Sequence, residues 1–214
     1  MGQKANINSL HLSRSKDWNC VWYANNKEYS KILMQDLIML NYLKSCHVIA
    51  SNSEVVKIRL CRISKNIVIN LQLTNGLRSN SLVLLKNLVF NLENIFTNFD
   101  RIFIVSKTLS SNELKTEPIS LSKKIAVLME NRIKFKSYLI KNLVNRTAEV
   151  CDGIKVLCKG RLNGADIASC DSLMIGSIPF QTLKAKINYS FSVANTIKGL
   201  ESIKVWIYKK ELKY

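Results

Sequence analysis

The chain has few of the residues from which catalytic and metal-binding sites are built. Among its 214 residues are only two histidines, His11 and His47, and there is no P-loop, nucleophile elbow, HExxH motif or glycine-rich dinucleotide turn. The six cysteines form no CxxC pair and have no set of histidines near them, which argues against a zinc site and a disulfide framework. We therefore predict that the protein is not an enzyme, has no catalytic residue, uses no metal or other cofactor, takes no small-molecule substrate, and keeps its cysteines reduced as small apolar fillers.

Long apolar runs are also missing. The longest candidate, Leu82 to Phe90, is short and is interrupted by Lys86, so neither a membrane span nor a membrane partner is predicted. Glycine (7) and proline (2) are scarce, whereas lysine outnumbers arginine and asparagine and isoleucine are abundant, a bias typical of A/T-rich codons in a reduced organellar genome. Since no cleavable signal or arginine-rich presequence is recognised, we expect the protein to work where it is made, in a mitochondrion as first choice and a plastid as second.

Acidic residues are too few to balance the basic ones. Lysine and arginine total 32 against 15 acids, which gives a formal net charge of +17 and a pI near 9.7. Residues 1–110 contain 14 basic and 6 acidic residues, and residues 111–214 contain 18 and 9, so the excess is spread over both halves. Such a field favours a polyanion, because each neutralised phosphate releases counterions. Nucleic acid is therefore the predicted partner, and a merely basic soluble protein is the alternative.

Hydrophobic periodicity predicts alternating helices and strands in the first half. Apolar residues three and four apart indicate a helix over Glu28–Leu43, and β-branched runs indicate a pair of strands over Val55–Arg62 and Asn66–Thr74. A second helix over Ser81–Phe96 and a short buried strand over Arg101–Lys107 follow. Residues 1–25 are polar and basic and are predicted to be an extended arm.

The second half is predicted to begin with a linker, residues 111–118, that ends at a proline. A long helical region from Leu121 to Glu149 comes next, followed by strands near Ile154–Leu162, Thr182–Ala194 and Ile203–Lys210. On one continuous helix Arg132 and Lys136 would lie inside the apolar arc, where an unpaired cation is costly. We therefore predict a break near Ile133–Phe135.

Several strings resemble the family of small-subunit ribosomal protein three. They are Lys159–Ala168 (KGRLNGADIA), Lys204–Lys209 (KVWIYK), the opening Met1–Lys4, and Trp18-Asn19 followed by residues 22–25 (WYAN). The resemblance implies an α+β fold in which a degenerate type II KH domain is followed by a C-terminal two-layer α/β domain. The implied division is a basic arm at 1–25, the KH-like domain at 26–110, the linker at 111–118 and the C-terminal domain at 119–214.

The resemblance also implies a function. It places the protein in the head of the small ribosomal subunit, near the point where mRNA enters, beside small-subunit proteins ten and fourteen, with rRNA and mRNA as partners. The residues expected to bind rRNA are Gln3, Lys4, Arg14, Lys16, Arg78, Lys159 and Arg161, and those expected on the mRNA side are Lys134, Lys136 and Lys141. Two glycines, at 160 and 164, bracket Arg161 and predict a tight turn that holds a cation.

The sequence departs from the family at positions that contact RNA. The KH loop reads Gly76-Leu77-Arg78-Ser79, so the second glycine of GxxG is a serine, and neutral Ser169, Met174 and Ser177 stand where the family has arginine. These losses imply a smaller rRNA partner or additional proteins over the old RNA surface. The alternative function is a free KH-type RNA-binding regulator acting off the ribosome, which would need an intact GxxG loop.

Overall fold

The structure, a computed structural model, describes residues 5–12, 16–45, 55–63, 66–73, 86–87, 89–94 and 101–209. It divides the chain into two units. One contains Trp18–Ser110, and the other combines Met1–Asp17 with Ser111–Tyr214. Residues 18–25, which were predicted to belong to the arm, therefore lie in the first unit. The KH loop around Arg78 lies outside the described residues.

The unit of residues 18–110 is a sheet with helical segments. Helix α1 (Ile7–His11) belongs to the other unit. The described elements here are β1 (Cys20–Val21), α2 (Asn26–Ser45), β2 (Val55–Ile63), β3 (Asn66–Leu73) and β4 (Arg101–Thr108), with residues 86–87 and 89–94 also helical. The strands lie in the order β1-β2-β3-β4; the central pair is antiparallel and the two outer pairs are parallel. Alternate apolar residues of β3 are buried, as a half-buried strand requires. Their core includes Met39, Leu43, Leu60, Ile67, Ile69, Leu71, Leu73, Leu92 and Ile102.

A buried ion pair joins three segments of this unit. Asp36 on α2 binds Arg62 on β2, and the side chains of both are less than one tenth exposed. The Asp36 carboxylate also accepts a hydrogen bond of 2.7 Å from Nε1 of Trp22, which follows β1. Arg62 donates further to Oε1 of Gln35 and to the carbonyl oxygen of Ile32, at 3.0 and 3.2 Å. The pair therefore fixes helix α2 against the sheet and holds the segment after β1.

The other unit is an antiparallel sheet with helices on both faces. Its elements are α1 (Ile7–His11), α3 (Ser111–Thr116), α4 (Pro118–Glu130), α5 (Tyr138–Ala148), β5 (Gly153–Gly160), β6 (Ser169–Gly176), β7 (Ile187–Thr196) and β8 (Gly199–Tyr208). The strand order is β6-β5-β8-β7, with every neighbouring pair antiparallel. Helices α4 and α5 pack through Ile125, Met129 and Ile140 onto Ile154, Val156, Ile203, Val205 and Ile207 of the inner face. One unit has a mixed sheet and the other an antiparallel sheet, and both contain helices, so the predicted α+β class is confirmed.

The predicted break in the long helix is also confirmed. Helix α4 ends at Glu130 and α5 begins at Tyr138. Between them Phe135 is 2% exposed and inserts into the core, while Arg132 and Lys136 point to solvent. The break therefore removes the burial of two cations that one continuous helix would have required.

Three predictions of local structure were wrong. Residues 7–11 of the arm form helix α1, capped by the Asn6 side chain, which accepts a hydrogen bond from Asn8 N at 3.0 Å. The segment predicted as a linker contains helix α3, and Pro118 is the first residue of α4. Strand β6 lies in a segment for which no strand was predicted.

Helix α1 covers one end of the outer face of this sheet. Ile7 packs there with Ile178, Ala185 and Ile187, beside the aromatic rings of Phe180, Tyr189, Trp206 and Tyr208. The Nζ of Lys16 donates to the carbonyl oxygen of Ile187 at 2.6 Å and to Oδ1 of Asn8 at 2.9 Å. At the other end of the outer face Lys159, Phe191 and Val193 are exposed, and we call this end the open part of the face.

The described part of the chain contains neither a candidate membrane-spanning helix nor a candidate metal-binding cluster. None of its helices is both long and apolar enough to cross a membrane. Nor do histidine, cysteine, aspartate and glutamate side chains gather there in groups of three or more that suit a metal ion.

Candidate nucleic-acid interface

The GRLNGADIA string forms a tight turn that its own arginine holds together. Gly160 has φ +147° and Gly164 has φ +77°, both in the region that favours glycine. A Cβ on Gly160 would also lie 3.0 Å from the carbonyl oxygen of Leu200. Both glycines of the string are therefore required by the backbone.

The Arg161 side chain donates hydrogen bonds to three oxygens in two parts of the molecule. Its Nε bonds the carbonyl oxygen of Ala165 at 2.8 Å, its Nη1 that of Lys198 at 3.4 Å, and its Nη2 Oδ1 of Asp166 at 3.2 Å. It thereby closes the turn and fastens it to the β7–β8 hairpin. The sequence predicted a cation held beside a tight turn, but the guanidinium contacts mainly protein oxygens. Only its remaining N–H groups are left for a phosphate.

Lys159 lies on the open part of the outer sheet face. In β5 the inward residues Ile154, Val156 and Cys158 are buried, so Lys155, Leu157 and Lys159 point outward. Paired residues on neighbouring strands share a face. Leu157 pairs with Lys204, and Lys204 pairs with Phe191, which places these three side chains in one row.

We call Lys155, Leu157, Lys159, Phe191 and Lys204 the outer patch. Phe191 is 54% exposed and pairs with Lys204, and Lys159 is exposed on β5 on the same face of the sheet. The Lys155 ammonium lies 5.8 Å from the centroid of the Phe180 ring, a cation–π contact. Lysines on the same sheet face as an exposed aromatic ring can neutralise phosphates while a base stacks on the ring. Of the outer patch only Lys159 could be predicted from the sequence, because the other four residues join it through the pairing of β5, β7 and β8.

The three lysines predicted on the mRNA side have different surroundings. Lys134 is exposed in the turn between α4 and α5, and Lys141 is exposed on α5. The Nζ of Lys136 binds Oδ1 of Asp171 on β6 at 3.0 Å. Both partners of that pair are solvent-accessible, so it contributes at most about 1 kcal/mol, yet it neutralises part of the charge of Lys136.

The other residues predicted to bind rRNA fall into two groups. One residue already contacts protein oxygens, and four lie outside the described residues. Lys16 is half-buried and donates to protein oxygens, as above, so its ammonium serves first to hold α1 on the sheet. Gln3, Lys4, Arg14 and Arg78 lie outside the described residues, and their assignment stays a prediction.

A cavity of about 340 Å³ lies beside the GRLNGADIA turn. Its wall combines residues 132–135 between α4 and α5, residues 162–164 of the turn, and residues 195–198 of the β7–β8 hairpin. Lys134 and Lys198 are at this wall, and Glu201 of β8 lines the same space. Glu201 is only 4% exposed, and burial raises the pKa of its carboxyl group. This cavity was not predicted from the sequence, since a glutamate near the end of a strand does not by itself indicate a cavity.

The cysteines only partly fit their predicted role. Cys158 is buried against Met129, and burial raises the pKa of its thiol to about 12. Cys20, Cys61 and Cys151 are half-buried, whereas Cys170 is exposed on β6 and fills no core, which corrects the prediction for that residue. Cys46 lies outside the described residues.

Comparisons with known proteins agree with the sequence strings. Residues 125–207 match the family described as ribosomal protein S3, C-terminal domain. This stretch covers most of the sheet that bears the outer patch, the cavity and the turn.

Relatives match over almost the whole chain. Small ribosomal subunit protein uS3 of Dictyoglomus turgidum is 34% identical over 99% of this chain and 85% of its own length. Those of Clostridium tetani and Ehrlichia ruminantium are 32% and 33% identical, over 99% and 100% of this chain and 94% and 98% of theirs. The chain therefore belongs to the family of small ribosomal subunit protein uS3, as the resemblance predicted. The members of this family are structural ribosomal proteins, not enzymes.

Proposed function

We propose that the protein is a structural constituent of the small ribosomal subunit of an organelle, where it binds rRNA in the head near the point at which mRNA enters. The observation that carries this proposal is similarity to uS3 proteins over 99% of the chain, joined to a formal net charge of +17. Neighbouring small-subunit proteins ten and fourteen are its proposed protein partners.

The outer patch is the proposed rRNA-binding surface of the second unit. Lys159 and Lys204 would neutralise phosphates, and Phe191 offers a flat apolar ring for an unstacked base. Arg161 keeps the adjoining turn in shape and uses its free N–H groups on the same RNA. Gln3, Lys4, Arg14, Lys16 and Arg78 are proposed as further rRNA contacts.

The mRNA side is proposed to depend on Lys134 and Lys141. Both are exposed, whereas Lys136 shares its charge with Asp171. We assign Lys136 a weaker role than its two neighbours, because a cation already paired must give up that pair to bind phosphate.

The unit of residues 18–110 is proposed to be the degenerate KH domain of type II. One long helix, an antiparallel central strand pair and a final parallel strand agree with that topology. The two-layer unit from residue 111 onward would then be the C-terminal domain, with the arm docked on it through α1.

The proposed compartment is a mitochondrion, with a plastid as the alternative. Scarce glycine and proline and abundant asparagine and isoleucine support an organellar genome, while the relatives named above come from bacteria.

Sedimentation tests the proposal. In sucrose gradients of organelle lysate, the tagged protein should migrate with the small subunit. Lys159→Glu/Lys204→Glu should shift it toward the top, because the outer patch would then repel phosphates.

The control Lys123→Glu/Lys124→Glu makes the same charge change on exposed residues of α4, which lies on the other face of the sheet, and should leave incorporation intact. Wild-type protein that stays at the top of the gradient would refute the ribosomal assignment, and RNA bound to it there would favour the off-ribosome regulator.

A further inference from the structure

The cavity beside the GRLNGADIA turn is lined by Glu201, a residue that is 4% exposed. Among the described residues, none donates a hydrogen bond to its carboxylate or lies within ion-pair distance of it. The fully enclosed side-chain atoms that lack a partner in the described part of the chain do not include the Glu201 oxygens, so these oxygens keep part of their hydration. The hydration that burial has removed is not replaced by a protein donor, and a ligand that donates hydrogen bonds in the cavity could replace it.

Gly160, at the end of β5, lies against Glu201 of β8. Glu201 pairs with Ala194 across the hairpin, on the side of β8 that faces the core. A Cβ on Gly160 would lie 3.0 Å from Cα and 3.1 Å from Cγ of Glu201, so any side chain at position 160 would crowd residue 201. Met129, Phe135 and Leu162, all buried, provide apolar walls beside it.

The two turns that frame the cavity are strained. Among the described residues, Arg132 (φ +62°) and Asn163 (φ +58°) are the non-glycine residues in the left-handed region, and both line this cavity. Such conformations are uncommon for non-glycine residues and tend to occur at binding sites. The strain and the unpartnered acid thus fall at the same place.

The charges around the opening restrict the class of ligand. Arg132, Lys134 and Lys198 are exposed at the wall of the cavity, so the opening attracts an anion while the floor carries an acid. A phosphate on the floor would be repelled by Glu201, a lysine or arginine from a partner protein would be repelled by the rim, and an apolar side chain would leave the acid unpaired. A nucleotide meets both requirements, because its phosphates are anionic while its base can donate hydrogen bonds.

We propose that this cavity receives one unpaired guanine of the bound RNA, with the Glu201 carboxylate accepting hydrogen bonds from guanine N1–H and the 2-amino group. Guanine presents these two donors side by side, which matches the two oxygens of a carboxylate. Adenine and cytosine place a ring-nitrogen acceptor beside their amino group, and uracil flanks its single N–H with two carbonyl oxygens, so each would turn an acceptor toward the acid. A volume of about 340 Å³ lies within the range of about 300–1,000 Å³ of pockets that enclose small molecules.

The cavity site rests on the proposed RNA-binding function and adds base selectivity to it. Arg132, Lys134 and Lys198 would hold the phosphates on either side of the flipped base, and Met129 and Leu162 would contact its ring. Lys134, which was assigned to the mRNA side, would then contribute to this site as well.

Fluorescence anisotropy with short single-stranded RNAs tests the proposal. The probes are an all-uridine RNA, the same RNA with one central guanosine, and the same RNA with inosine there, which keeps N1–H and lacks the 2-amino group. We expect the wild-type protein to bind the guanosine probe about tenfold more tightly than the uridine probe, with the inosine probe between them. Glu201→Gln should abolish this order while binding the uridine probe as the wild type does. Glu149→Gln, an exposed residue at the end of α5, is the matched control and should keep the preference.

The outcomes separate this inference from the function it rests on. If wild-type protein binds all three probes equally, or if Glu201→Gln keeps the order, the guanine site is refuted and general RNA binding stands. A readout on unaltered protein covers the case in which Glu201→Gln fails to fold: a photoreactive 6-thioguanosine at the central position should crosslink to residues 195–201 or 129–135. Crosslinks confined to other segments would overturn the site, as would occupation of the cavity by a neighbouring protein in purified subunits.

Discussion

At the scale of single residues, the pair formed by Asp36 and Arg62 constrains the unit of residues 18–110. Its members come from α2 and β2, and Trp22 joins them from the segment after β1. Removing one partner of a buried pair leaves the other charge uncompensated, whereas replacing both with apolar residues often costs little. The pair should therefore behave as a unit.

A double-mutant cycle measures this coupling. Asp36→Leu should lower the free energy of unfolding by about 3–5 kcal/mol, since Arg62 is then buried without a counter-charge. Asp36→Leu/Arg62→Met should be less destabilised than Asp36→Leu alone, as judged by urea denaturation followed by circular dichroism. Glu28→Leu, on an exposed position of the same helix, should cost no more than about 1 kcal/mol. Additive losses in the double variant would contradict the coupling.

At the scale of elements, two basic residues at the turn of Gly160–Gly164 have different roles. One holds the turn in shape, and the other is available to bind RNA. Arg161 and Lys159 are two residues apart, yet one bonds protein oxygens and the other is exposed on the outer patch. Sequence reasoning grouped both as rRNA contacts, since side-chain hydrogen bonds do not show in a string of residues.

Replacing Arg161 should therefore lower the stability of the protein, whereas replacing Lys159 should weaken RNA binding. Arg161→Ala should lower the free energy of unfolding by about 1–2 kcal/mol, because the partly exposed guanidinium loses its bonds to Ala165 and Lys198. Arg161→Lys should rescue little of it, since an ammonium cannot reproduce the planar fork. Lys159→Ala should leave thermal stability unchanged and weaken binding to an rRNA fragment. Equal loss of stability in Arg161→Ala and Lys159→Ala would refute this division of roles.

How far the elements could be predicted depended on how much of each is buried. The break between α4 and α5 was predictable, because two cations inside an apolar arc carry a large penalty wherever the rest of the chain lies. Strand β6 was missed because it is an edge strand: most of its residues are exposed, and its sequence, SCDSLMIG, is neither β-branched nor clearly alternating. Helix α3 buries no residue, so its polar sequence is indistinguishable from a linker. The outer patch and the cavity required strand register, which periodicity does not supply.

At the scale of the whole molecule, the basic residues raise the question of whether net charge or placement binds RNA. The excess is similar in both halves of the chain, so a general attraction to phosphate is expected from any part of it. The outer patch adds local contacts, in which a cation displaces counterions from particular phosphates. These two contributions differ in how binding responds to salt when lysines are removed.

The salt dependence of binding distinguishes them. Each lost phosphate contact should reduce the slope of log K against log salt by about 0.7 for single-stranded RNA and somewhat more for a duplex. Lys159→Gln/Lys204→Gln should therefore flatten the slope for an rRNA fragment by about 1.4 or more, measured by filter binding over a series of KCl concentrations. Lys123→Gln/Lys124→Gln removes the same formal charge from exposed positions of α4 and should leave the slope nearly unchanged. If both double variants flatten the slope equally, overall charge governs binding and the outer patch is not a specific interface. A difference confined to the outer patch would mean that the fold, by aligning β5, β7 and β8, turns a dispersed positive charge into defined phosphate contacts.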